Sequence, residues 1–86
     1  MAQRERERIL RDIVAHVADG GGSTGVVDLK GWIGRTYGMT YRMAENLLED
    51  EYIRGWLRRY FGAIEITALG RELVPRIEEM GDDDRS

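Results

Sequence analysis

Eighty-six residues suffice for one domain with a single modest core and leave little room for an elaborate active site. The absence of cysteine removes disulfide staples, thiolate zinc sites and cysteine nucleophiles together, and suits a reducing interior. The formal charge of −3 weighs against a broadly basic phosphate-binding surface. However, five acids and one arginine fall in the last nine residues, "EEMGDDDRS", so the other 77 carry 12 basic and 11 acidic groups.

The acidity is therefore largely a tail, and residues 81–86 are expected to be solvated and disordered. Lys30 is the single lysine, and the other twelve basic residues are arginines, which fork onto phosphate and guanine in a way lysine cannot. The opening "MAQRERERIL" offers no apolar stretch suited to a signal peptide, and no apolar run nears the roughly 20 residues that span a bilayer. A cytoplasmic protein is expected.

Residues 4–18 place Ile9, Leu10, Ile13, Val14 and Val17 on one helical stripe, with Glu7–Arg11 and Arg8–Asp12 as i,i+4 pairs on the wet side. "GGGSTG", residues 20–25, breaks this helix, and Val26-Val27 suffices only for a stub of strand. Asp28 is the expected N-cap of a short second helix, "LKGWIGRTY", in which Leu29, Trp32 and Ile33 share a face. Gly38 suits the left-handed residue that closes a helix, and Thr40 can cap a third helix two residues later, which forces a sharp turn. Met39 stands where a staple residue would pack back on Ala44.

In "TYRMAENLLEDEYI", Met43, Ala44, Leu47, Leu48 and Glu51 fall on one side, while Arg42, Glu45, Asn46 and Glu49 fall on the other. A hairpin follows, with residues 56–60 and 63–67 as strands and Phe61-Gly62 at the bend. Thr67 can cap a last helix whose stripe of Leu69, Leu73, Ile77 and Met80 is kinked or divided at Pro75.

Several other signals yield to plainer readings. "GGGSTGVV" has the G-x-x-x-x-G spacing of a phosphate loop, but Val26 stands where lysine is required and a helix precedes it. His16, at the edge of the first helix's apolar stripe, reads as a packed or half-exposed imidazole, and with no cysteine or second histidine no metal site is expected. Trp32, Trp56, Tyr37, Tyr52 and Phe61 read as core or interface residues rather than as a stacking platform, since they interrupt helical and strand patterns at packing positions. No nucleophile stands in a recognisable triad order. Neither enzymatic activity nor a cofactor or small-molecule ligand is expected.

A two-stranded ribbon is marginal in water unless it packs on something. In the order helix, short strand, helix, tight turn, helix, hairpin, helix, the chain resembles the winged helix-turn-helix DNA-binding domains of bacterial and archaeal regulators, particularly MarR-like and PadR-like proteins. The most telling piece is "LLEDEYIRGWLRRYFGAIEITALGREL", which is similar to the family's passage from the end of the recognition helix into the wing and out through "I-x-I-T-x-x-G-R". The resemblance implies a mainly α, α+β winged-helix domain over residues 4–80, with a three-helix core, a β-hairpin wing and an added C-terminal helix.

It further implies a small double-stranded-DNA-binding protein, either a transcriptional regulator or a nucleoid-associated protein. Helix 40–53 would read bases in the major groove, and the wing, 56–67, would touch the backbone or the minor groove beside it. The residues concerned would be Thr40, Tyr41, Arg42, Glu45 and Asn46 on the helix, with Arg58 and Arg59 on the wing. Adjacent strand residues point to opposite faces, so one wing arginine is expected to reach phosphate while the other packs or pairs with Glu65. Glu45 and Glu49 are a departure, because carboxylates facing a phosphate-lined groove are costly unless paired. A symmetric homodimer is expected through the terminal helices, with Ile9, Leu73, Ile77 and Met80 at the interface and Arg4, Arg6 or Arg8 meeting Glu72, Glu78 or Glu79 of the other copy. The alternative from another class is a winged helix that binds protein rather than DNA.

Overall fold

The computed structural model describes residues 2–75 of the chain. Its elements in order are α1 (Gln3–Asp19), β1 (Ser23–Gly25), α2 (Val26–Tyr37), α3 (Tyr41–Arg54), β2 (Leu57–Tyr60) and β3 (Ala63–Ile66). A further helix, α4, occupies residues 68–75. The architecture is α+β and mostly helical, with one three-stranded antiparallel sheet in the order β1-β3-β2.

The apolar stripe of α1 is buried as the periodicity requires: Ile9, Leu10, Ile13, Val14 and Val17 all lie in the core. They meet Leu29 and Ile33 of α2, Ala44, Leu47 and Leu48 of α3, and Leu57, Ile64 and Ile66 of the hairpin. Each fully buried Leu or Ile contributes about 1.5–3 kcal/mol, so this single cluster is the main source of stability. The wet side of α1 differs from the expected i,i+4 pairs. Glu7 is taken by Arg54 of α3, and Asp12 accepts a hydrogen bond from the Tyr37 hydroxyl at 3.1 Å. Both partners are remote in sequence, and a partner fixed by packing outcompetes a mobile neighbour on the same helix.

The first strand is Ser23–Gly25 rather than Val26-Val27, which begin α2, and the N-cap of α2 is Gly25 rather than Asp28. Asp28 instead stands in the first helical turn, where a carboxylate meets the positive end of the helix dipole. β1 pairs with β3, Thr24 facing Ile64, so the hairpin is not alone. Left-handed Gly21 and Gly22 swing the chain out of α1 and into the sheet. The ladder is then bracketed by two further bonds, Ile66 N to Gly22 O and Val26 N to Gly62 O, both 2.9 Å.

Between α2 and α3 the local chemistry is as expected. Gly38 is left-handed with φ of 65°, and Thr40 Oγ1 accepts from Met43 N at 3.2 Å. Met39 packs against the core, but Met43 lies largely in solvent, so the buried stripe of α3 is Ala44, Leu47, Leu48 and Glu51. Left-handed Gly55 ends α3, and Trp56 N reaches back to Glu51 O at 3.1 Å, a Schellman-type closure.

The base of the hairpin is fastened by the "T-x-x-G" of the exit motif. Thr67 Oγ1 bonds the carbonyls of Gly55 and Trp56 and accepts from Gly70 N at 3.0 Å, so one hydroxyl joins the end of α3, the end of β3 and the start of α4. Gly70 itself is buried against the Trp56 carbonyl, with no room for a side chain. Pro75 is the last described residue; the kink expected there, with Ile77, Met80 and the tail 81–86, lies outside the described residues.

Candidate nucleic-acid interface

The outward face of α3 and the hairpin beside it carry most of the residues singled out from the sequence. Tyr41, Arg42, Glu45, Asn46 and Glu49 are all exposed on α3. Thr40 serves as the helix cap. Lysine and carboxylate chemistry across α2 and α3 organises the N-terminal end of this face. Lys30 of α2 is only 7% exposed, and its ammonium donates to Tyr41 Oη and to Glu45 Oε1, each at 3.3 Å, while lying 4.4 Å from the centre of the Tyr41 ring. Burial works against the ammonium, yet the bonds to Tyr41 and Glu45 outweigh it and raise its pKa, so Lys30 remains charged.

Glu45 is thus neutralised by Lys30 and not by Arg42. Among the described residues no ion pair engages Arg42 or Arg59, which leaves two guanidiniums free on this side of the molecule. Lys30 is not among the site residues expected from the sequence. Its signal was the spacing Val26, Lys30, Ile33, which puts a lysine inside the buried stripe of α2.

The hairpin separates its two arginines as the pleat requires. Arg58 faces Glu65 across the ladder and pairs with it at 3.0 Å on the solvent side of the sheet. Arg59 faces Ile64, whose side chain is buried, so it stands on the side of the sheet turned toward the helices. There it approaches α3: burial raises the Tyr52 phenol, and the Arg59 charge opposes that rise. Arg59 Nε donates to the carbonyl of Phe61 at 3.3 Å.

Trp32, Tyr37, Tyr52 and Trp56 pack against the core as expected of them. Phe61 does not: it is 82% exposed at the tip of the hairpin, because the two-residue turn projects it beyond the last pair, Tyr60 and Ala63. His16 stacks on Trp32 with ring centres 3.8 Å apart, a packing role that ties α1 to α2. Among the described residues no group of three or more His, Asp or Glu side chains could hold a metal ion. None of the described helices is long and apolar enough to cross a membrane.

Two residues expected between copies are committed within the chain. Ile9 is 2% exposed and packs in the chain's own core. Arg6, expected to meet an acid of another copy, pairs with Asp50 of α3 at 3.2 Å. Leu73 is half-buried and packs against the core from α4, while Ile53 at the end of α3 and Leu69 on α4 are exposed. Compared with known proteins, the chain matches no family model, and no curated protein or solved structure is significantly similar to it.

Proposed function

We propose that this protein is a winged helix-turn-helix DNA-binding protein, acting as a regulator or as a nucleoid-associated protein, that reads the major groove with α3 and touches the backbone with the β2–β3 hairpin. The observation that carries the reading is the pairing of Glu45 with buried Lys30. It removes the objection raised by Glu45, though not that raised by exposed Glu49, and leaves Arg42 and Asn46 exposed, a guanidinium that can fork onto guanine and an amide that can fork onto adenine. Arg59, on the helix-facing side of the hairpin, adds a cation suited to phosphate. A symmetric pair of copies would present two α3 helices to successive turns of a duplex, and exposed Ile53 and Leu69 supply apolar surface for such a contact.

Those same exposed side chains favour a second reading, a winged helix that binds protein alone. An anisotropy titration against random-sequence duplex at low and high salt separates the two. DNA binding predicts an affinity that falls steeply with salt as phosphate counterions are released, whereas no binding at low salt sinks the proposal in favour of the protein module.

A further inference from the structure

We propose that Phe61 is a wedge: on binding, its ring inserts from the minor groove between two base pairs and partly unstacks them. The inference rests on the DNA-binding reading above, and adds that the hairpin tip deforms the duplex rather than merely resting on its backbone.

The first observation is conformational. Phe61 has φ of 56° and is the only non-glycine residue with positive φ among those described. A bulky side chain is disfavoured there, and strain of this kind persists only where surrounding structure imposes it. The turn between Tyr60 and Ala63 has just two residues, Phe61 and Gly62, and the left-handed position is held by the phenylalanine although a glycine stands beside it. Exchanging the two types would relieve the strain, so backbone preference gives no reason for a phenylalanine at this position.

The second observation is that the ring is presented rather than stowed. It is 82% exposed, and open space surrounds Gly62. Its orientation is nevertheless fixed. The Tyr60 ring meets it edge to face at 4.7 Å and 86°, Arg59 Nε holds the Phe61 carbonyl, and Val26 N ties the Gly62 carbonyl to the start of α2. A preorganised aromatic loses little freedom on insertion.

The third is the setting. Arg59, beside the tip, has no ion-pair partner among the described residues, whereas Arg58, 5.8 Å from the Tyr60 ring, is paired with Glu65 at 3.0 Å. A ring that projects beside an unpaired cation suits a base step next to a phosphate, and apolar wedges of this kind unstack and kink duplex DNA. A protein pocket is a poorer match. One phenylalanine buries on the order of 150–250 Å², far below the roughly 1,600 Å² of a standard protein interface, whereas a wedge needs a single ring.

The test uses the full chain and duplexes carrying 2-aminopurine at successive positions, including flexible TA steps, where unstacking costs least. Wild type should raise the fluorescence of the probe at one position per bound copy. Phe61→Leu should retain part of the rise. Phe61→Gly should abolish it and weaken binding about tenfold, in line with the loss of one stacked ring. Because glycine is at ease at positive φ, Phe61→Gly should melt at or above the wild-type temperature, so its weaker binding would not reflect unfolding. Salt-dependent binding with no fluorescence change at any position overturns the wedge and leaves the DNA-binding reading intact. Absence of duplex binding overturns both. A large drop in melting temperature in Phe61→Gly gives the ring a structural role and likewise overturns the wedge, as does loss of self-association in that variant with duplex binding unchanged, which would assign the tip to protein contact.

Discussion

Arg54, in the last turn of α3, forks onto both carboxylate oxygens of Glu7 on α1, with each N···O distance 2.6 Å. The same guanidinium reaches Asp50 at 3.1 Å, and Asp50 takes Arg6 at 3.2 Å, so four side chains join the start of α1 to the end of α3. Bidentate geometry of this kind suits arginine and not lysine. We therefore expect Arg54→Lys to lower the melting temperature nearly as much as Arg54→Met, and Arg54→Met to lower it more than Glu7→Gln, because Arg54 also holds Asp50. The Glu7 carboxyl is held below its ordinary value of 4.5, chiefly by the Arg54 hydrogen bond. A depressed folded-state value contributes stability above pH 4.5 that is lost as pH falls below it. Thermal melts in that acid range should show a shallower decline in Glu7→Gln than in wild type.

Gly70 marks the closest approach of α4 to the base of the hairpin. A methyl group at this position would collide with the backbone carbonyl of Trp56 and come within 2.8 Å of Ile66 Cγ1. Backbone cannot rotate aside as a side chain can, so Gly70→Ala should destabilise the fold by about 2–3 kcal/mol in denaturant unfolding. Thr67→Val, which removes the hydroxyl bonded to Gly55, Trp56 and Gly70, should cost about 1–3 kcal/mol through the buried groups left unpaired. Wild-type stability in Gly70→Ala would mean that α4 does not dock as described.

These two residues belong to the part of the fold that was legible in the sequence. Thr40 and Gly38 act through bonds to residues three or four positions away, and Thr67 caps Gly70 three positions on although its bonds to Gly55 and Trp56 span 12 and 11. The stripe of α1 follows from helical periodicity alone, so local pattern was enough for the caps and the stripe. β1 was not legible. Ser23, Thr24 and Gly25 carry no strand pattern of their own and become a strand only because β3 offers them an unpaired edge. The ties of Lys30 to Glu45 and of Arg54 to Glu7 span 15 and 47 positions in the chain. Nothing local selects such partners over nearer ones. Phe61, expected in the core or at an interface, is kept out of the core by the two-residue length of the turn, which the strand pattern alone does not fix.

Glu51 lies wholly inside the core, and neither of its carboxyl oxygens has a hydrogen-bond partner. Burial pushes its pKa up to about 9, so the group is protonated at neutral pH. Folding then takes up a proton wherever pH lies between the unfolded value near 4.5 and the folded value near 9. A raised folded-state value means that stability is greatest below that window and declines as pH rises through it, by up to about 1.4 kcal/mol per pH unit for this one group. Glu51→Met, similar in volume and free of unpaired oxygens, should be more stable than wild type by about 1–3 kcal/mol at neutral pH and should flatten the decline toward alkaline pH. Denaturant unfolding of both proteins across that window checks this, and parallel pH profiles would refute it.

The two wing arginines should differ in their effect on DNA, since the pleat has already divided them. Arg58 is paired with Glu65 on the solvent side of the sheet, so drawing it onto a phosphate would mean giving up that pair. Arg59 stands on the side facing the helices, close enough to α3 to influence Tyr52, and meets no carboxylate among the described residues. A phosphate bound there would gain a cation at little cost. Arg59→Ala should therefore weaken binding to any duplex and lower the slope of log affinity against log salt by about one unit, as expected when one fewer phosphate is neutralised. Arg58→Ala should stay near wild type in both respects. Arg42→Ala and Asn46→Ala should instead relax discrimination at particular base pairs by about 1–3 kcal/mol and change the salt slope less than Arg59→Ala, because groups that touch base edges release few counterions. If Arg58→Ala and Arg59→Ala leave affinity and slope alike unchanged, the hairpin has no part in backbone contact, and α3 alone must account for any binding that remains.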